Sequence, residues 1–117
     1  MSVSAEFQSY IREKFEILGD VAFSRFFGGI SISYNDVQFA MAMGNTLYFC
    51  VDDSSRADYA EIGMQPFSYA SKKGTVLVKK YYSIPEEVLD NPENLREWAQ
   101  VAIKAAHATS KKKTAKH

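Results

Sequence analysis

The sequence predicts a two-layer α+β sandwich, a mainly antiparallel sheet with helices packed on one face, in the order α-β-β-β-α-β-β-α. Three observations carry this expectation. Apolar residues recur at helical spacing near both ends of the chain, as Phe7, Tyr10, Ile11, Phe15 and Leu18 and again as Leu95, Trp98, Ala99, Ala102, Ala105 and Ala106. Between them lie short apolar runs separated by turn residues, the signature of hairpins. The 117 residues, 46% hydrophobic and 24% charged, suit one globular core, and no repeat or Pro/Gly/Ser-rich linker divides them. A single domain is expected over residues 1–109, followed by a basic, disordered tail at 110–117.

The first helix is expected over residues 4–18, with Ser4 as cap, Glu6 at the positive end of the dipole and Gly19 at the exit. Ile30-Ser31-Ile32-Ser33 alternates as a strand should, and Asn35-Asp36 is turn chemistry ahead of a strand over residues 37–43. A second apolar run ends at Val51. If Gly44-Asn45 alone makes the intervening turn, Met41 faces Tyr48, and Leu47, Phe49 and Val51 share a face with Ser31 and Ser33. A three-residue loop, Gly44-Asn45-Thr46, instead collects Ile30, Ile32, Phe39, Met41, Met43, Leu47, Phe49 and Val51 on one face. The hydrophobic pattern favours this second register, because a one-residue slip flips a whole strand.

Asp53 is the expected cap of a short helix ending near Ile62, with Gly63 as its stop. Residues 67–71 and 75–82 form a last hairpin around Lys72-Lys73-Gly74. Ser83-Ile84-Pro85-Glu86 resembles a capping box opening a brief helical turn. Asn91-Pro92 then starts the final helix, whose alanine stripe allows close approach to the sheet.

Fourteen basic and fourteen acidic residues balance to zero, but the balance hides an asymmetry. Lys111, Lys112, Lys113 and Lys116 all lie in the last eight residues, leaving 10 basic against 14 acidic, a net −4, in the body. Duplex affinity comes largely from Lys and Arg neutralising phosphates, so the body is expected to bind DNA poorly. The lone Cys50 excludes an intrachain disulfide and cysteine-only zinc sites. The longest apolar runs, 39–43 and 47–51, are too short to span a bilayer, and the first ten residues do not read as a secretory signal. A cytoplasmic protein without membrane association is expected.

No catalytic constellation emerges. His107, expected in the last turn of the final helix, has no sequence-local nucleophile or carboxylate partner and suits the negative helix end. Cys50 reads as a partly buried, inert thiol in a strand. Asp52-Asp53 and Glu86-Glu87 sit where helices start, which explains them without acid–base or metal chemistry. Gly28-Gly29 is too short for a phosphate loop, and no two histidines stand at metal-ligand spacing. Neither cofactor nor metal is expected, and the chain is not expected to be an enzyme.

Arg25-Phe26-Phe27-Gly28-Gly29 is the least ordinary stretch. Its aromatics read as core entry and its glycines as positive φ or close approach, while an arginine beside aromatics is also a hot-spot composition. Tyr81-Tyr82 must point to opposite faces of a strand, so the outer one is either a contact residue or plain surface. Lys72, Lys73, Lys79 and Lys80 flank the last hairpin and form either a small basic patch or a protected edge.

The ordered set Arg25-x-Phe27-Gly28-Gly29, Phe39-Ala40, Leu47-Tyr48, Val51-Asp52, Arg56, Pro66-Phe67-x-Tyr69, Tyr81-Tyr82, Pro85-Glu86 and Trp98-Ala99 resembles the N-terminal domain of the TfoX/Sxy family of bacterial competence regulators. The resemblance implies a fold similar to that of type III secretion chaperones and a non-enzymatic regulatory role. Full-length members carry a second, helical domain and promote transcription of DNA-uptake genes with the cyclic-AMP receptor protein. This chain departs from the pattern in two details: Cys50 stands where a basic residue is common, and Asn35-Asp36 replaces a more usual Asp-Gly turn. The family domain has no agreed catalytic residues to carry over.

The expected function is therefore a regulatory protein-binding module acting through Arg25, Phe27, Gly28, Gly29, Tyr81 and Tyr82. By resemblance its protein partner belongs to the transcription machinery, and the module is a monomer or homodimer. One alternative is a nucleic-acid accessory using Lys72, Lys73, Lys79, Lys80, Lys111, Lys112 and Lys113; another is a small ligand binder or enzyme.

Overall fold

Ser4 Oγ accepts the Phe7 N–H at 3.1 Å and starts α1 (Ala5–Lys14), which tightens into a 3-10 turn at Phe15–Leu18 and leaves through Gly19 at φ 81°. The chain is seen here in a computed structural model that describes residues 3–26 and 28–115, with the side chains of Phe26 and of residues 109–115 outside that description. Among the described residues six strands follow in one antiparallel sheet ordered β1-β2-β3-β4-β6-β5. They are β1 (Val21–Phe26), β2 (Gly29–Tyr34), β3 (Val37–Met43), β4 (Thr46–Cys50), β5 (Pro66–Ser71) and β6 (Gly74–Ser83). Helix α2 (Asp53–Glu61) interrupts the strands, and α3 (Glu86–Asp90) and α4 (Pro92–Ala115) close the chain. The predicted α+β order holds, with one strand added: β1 pairs with β2 from Val21↔Tyr34 to Phe26↔Gly29 and makes one edge of the sheet.

Aromatic contacts fix which face carries the helices. The Phe15 ring lies 6.2–6.3 Å from Phe23, Phe39 and Phe49, so α1 and its 3-10 turn sit over β1, β3 and β4. Tyr82, paired with Phe49, meets Tyr59 of α2 at 6.0 Å, and Tyr59 meets Trp98 of α4 at 5.0 Å. Helices α1, α2 and α4 thus share one face of the sheet. Ala99, Ala102, Ala105 and Ala106 are buried there with Ala40 and Ala42, and the small side chains let α4 lie close across β3 and β4.

The β3–β4 register corrects the expected loop. Met43 pairs with Thr46 and Met41 with Tyr48, so Gly44-Asn45 alone makes the turn, both residues at positive φ as a type I′ hairpin requires. Two facts remove the hydrophobic objection to this register. Between Ile32↔Ala40 and Ser33↔Gln38 lies a β-bulge that leaves Phe39 unpaired, and the Phe39 ring joins Phe49 at 6.1 Å. Met41 and Met43, turned to the other face with Ser31, Cys50 and Tyr81, are buried as well. On β6 a four-residue step from Val78 to Tyr82 faces a one-residue step on β5. The outer hairpin curls at this irregularity, bringing Phe67 of β5 to 5.3 Å from Tyr48, two strands away.

Helix starts differ in detail from expectation. Asp52, not Asp53, caps α2: its Oδ1 accepts the Ser55 N–H at 2.8 Å, while Ser55 Oγ accepts the Asp52 N–H at 3.0 Å. Asp53, in the first turn, pairs with Arg56 at 2.8 Å. Ser83 belongs to β6 and does not cap α3, whose N-cap is Pro85 without a side-chain bond. Asn91 Oδ1 accepts the Glu93 and Asn94 N–H groups at 3.1 Å and opens α4 as expected. Helical backbone continues to Ala115, past the expected domain end. His107 is therefore not in a last turn; with Nε2 protonated it donates to the Tyr34 carbonyl at 3.4 Å.

Candidate functional site

The Arg25-to-Gly29 corner is the β1–β2 hairpin. Phe26↔Gly29 is its last pair, Gly28 takes the left-handed region at φ 83°, and Phe27 lies outside the described residues. Gly29 is required for a different reason. A Cβ there would run into the Ala42 carbonyl oxygen and Met43 Sδ, so β2 passes β3 at a separation only glycine permits. Both glycines thus have a structural cause.

Side-chain alternation then places Phe23 and Arg25 on the helix face of β1, opposite Ile32 and Ile30. Phe23 packs beside Phe15 and anchors the end of α1 above the strand. One helical stripe of α1 presents Gln8 and Arg12, a turn apart, to this edge. The result is a cleft of about 520 Å³ between α1 and the hairpin, lined by Gln8, Arg12, Phe23, Arg25, Gly28 and Gly29 among others. The Arg12 guanidinium lies over the Phe23 ring, 4.6 Å from its centre. Glu16, one turn on along the helix, is spaced to pair with Arg12, yet among the described residues neither Arg12 nor Arg25 forms an ion pair. Among the described residues no acidic side chain lines the cleft.

Arg12 and Gln8 escaped sequence reasoning because they lie on another element. The available signal was the alternation Val21-Ala22-Phe23-Ser24, which marks β1 and would have set the direction of Arg25.

The remaining expected residues separate from this cleft. Tyr81 and Tyr82 do point to opposite faces, but both are buried, at 9% and 8% exposure, because the sheet is covered on both sides at that point. Neither offers a contact surface, which corrects the expectation of an outer tyrosine. Burial, with a smaller contribution from nearby Cys50, holds the Tyr81 hydroxyl well above the usual tyrosine range. Cys50 is 1% exposed; burial pushes its thiol up, Lys80 opposes, and Asp52 adds to the rise.

Lys72 and Lys73 form the β5–β6 turn, and Lys79 lies about 20 Å along β6 at roughly 3.3 Å per residue, so the four lysines do not form one patch. The Lys79 end is docked to other elements: its carbonyl accepts Arg56 Nε–H at 3.0 Å, and the Lys80 carbonyl accepts the Val51 N–H at 2.8 Å. Lys111, Lys112 and Lys113 fall on helical backbone of α4 with side chains outside the described residues. Among the described residues no three His, Cys, Asp or Glu side chains gather as metal ligands. No helix among them is long and apolar enough to cross a membrane.

Among curated proteins none matches this chain. A family model described as the TfoX N-terminal domain matches residues 13–106, from the end of α1 through most of α4. Arg25, Gly28 and Gly29 fall within the match, while Gln8 and Arg12 precede it. With that much of the 117 residues matched, the chain belongs to the TfoX N-terminal domain family.

Proposed function

We propose that this chain is a non-enzymatic regulatory module of the cytoplasm, a monomer or homodimer, that binds a protein of the transcription machinery through the Arg25 corner. Family membership over residues 13–106 supports the regulatory part of this reading. The observation that carries the choice of surface is the exposed Arg25 beside Phe23, with no carboxylate among the described residues paired with it. An unpaired arginine next to an aromatic ring is the composition of a binding hot spot, available to an acidic residue of a partner.

The test is capture from nuclease-treated native lysate at physiological salt, comparing wild type with Arg25→Ala. Arg25 is exposed, so the variant keeps its fold. A stoichiometric protein retained by wild type and lost by the variant is the expected result. Equal capture by both, or nothing retained after nuclease treatment, overturns the reading.

A further inference from the structure

The cleft between α1 and the β1–β2 hairpin holds more than a single hot-spot arginine. Its volume, about 520 Å³, falls within the roughly 300–1,000 Å³ of sites that enclose an organic ligand and far exceeds what one bare ion fills. Two arginines line it from separate elements, Arg12 from α1 and Arg25 from β1. The Arg12 guanidinium is held over the Phe23 ring, 4.6 Å from its centre, a contact that restrains the side chain and so lowers the entropy cost of gripping an oxyanion. Phe23 and Ile30 supply apolar wall, and Gly28 and Gly29 present bare backbone.

We propose that this cleft is a binding site for a small organic anion, its phosphate-ester or carboxylate head held between Arg12 and Arg25 and its body against Phe23 and Ile30. The inference goes beyond the protein-binding reading and does not depend on it. It also uses Arg12, which lies outside the residues matched by the family model.

The test is a titration of the full chain, at low ionic strength, followed by amide and arginine Nε chemical shifts. The probes are phenyl phosphate, phenylacetate, inorganic phosphate and benzyl alcohol. Saturable shifts of Phe23, Ser24, Gly28, Gly29 and the two Arg Nε groups are expected with phenyl phosphate or phenylacetate, and whichever binds tighter identifies the head group. Inorganic phosphate should bind more weakly for want of a body, and benzyl alcohol should not bind. Arg12→Gln or Arg25→Gln should weaken binding by about tenfold or more, the loss of a charge-assisted pair, while the exposed Arg96→Gln on α4 should leave it unchanged. If Arg12→Gln fails to fold, exposed Arg25→Gln carries the comparison alone.

Flat titrations with every anion overturn the proposal, as does equal binding of benzyl alcohol, an affinity indifferent to both cleft arginines, or inorganic phosphate matching phenyl phosphate. The two readings also fail separately. Arg25-dependent protein capture with flat titrations removes only the anion site, and saturable titrations without capture remove only the protein-binding module.

Discussion

Replacing Gly29 with alanine adds one methyl group at the point where β2 runs against β3. The new Cβ meets a backbone atom, the Ala42 carbonyl oxygen, as well as Met43 Sδ. A flexible side chain could swing away, but Ala42 lies inside the β3 ladder, paired with both Ile30 and Leu47. Relief therefore requires β2 and β3 to part locally. That costs overpacking strain of about 1–3 kcal/mol. It also weakens a ladder bond and leaves a buried carbonyl poorly satisfied, about 1 kcal/mol or more. A total near 3 kcal/mol is expected for Gly29→Ala, a large part of the roughly 5–15 kcal/mol stability of a typical domain. In a domain this size that lowers Tm by about 12 °C.

Gly63→Ala provides the calibration. Its φ of 87° imposes a left-handed strain of about 1–2 kcal/mol, but nothing lies within 4 Å of the added Cβ. Urea unfolding of both variants, followed by circular dichroism, measures the difference. A Gly29→Ala cost equal to or below that of Gly63→Ala would refute the close-approach argument and return Gly29 to the list of residues held for binding.

Asp52→Ala should cost about 1 kcal/mol by removing the α2 cap. The Ser55 N–H bond, with smaller help from the Ser55 hydroxyl, holds the Asp52 carboxyl below the usual carboxylate range. A folded value below the unfolded one means that this stability is complete above about pH 4 and is lost as pH falls further. Urea midpoints of wild type and Asp52→Ala should accordingly converge in acid; a constant gap from neutral pH to pH 2 would contradict the assignment. Cys50 should resist a thiol reagent in the native protein and react fully in denaturant, since burial both shields the sulfur and raises its pKa. Rapid reaction of the native thiol at neutral pH would show the sheet opening at β4 far more readily than the packing allows.

Much of the architecture was legible in the residues themselves. Ser4, Gly19, Asn35-Asp36, Gly63 and Asn91-Pro92 act through bonds or backbone angles a few residues away, so their effect depends little on the rest of the fold. The two apolar helix stripes were equally plain, because a helix repeats its own face wherever it docks. Register was different. Alternation predicts a strand pairing only when one face is buried and the other wet. Here Met41 and Cys50 are buried on one side while Leu47 and Phe49 are buried on the other, so the one-face criterion chose the wrong loop. The bulge at Phe39, which reverses the alternation within β3, arises from the pairing of β3 with β2 and has no local marker.

The candidate site divides along the same line. Arg25, Gly28 and Gly29 stood out in the sequence because an arginine, aromatics and paired glycines adjoin there. Chain order also showed that Tyr81 and Tyr82 oppose each other across a strand. It could not show that the curled sheet buries both, which depends on α2 and α4 covering one face and the bent outer hairpin closing over the other. Nor could it show that Arg12, thirteen residues before Arg25, shares its cleft. That neighbourhood exists only because Phe15 and Phe23 dock α1 over β1, a long-range packing event driven by apolar burial rather than by any signal carried in the arginines themselves.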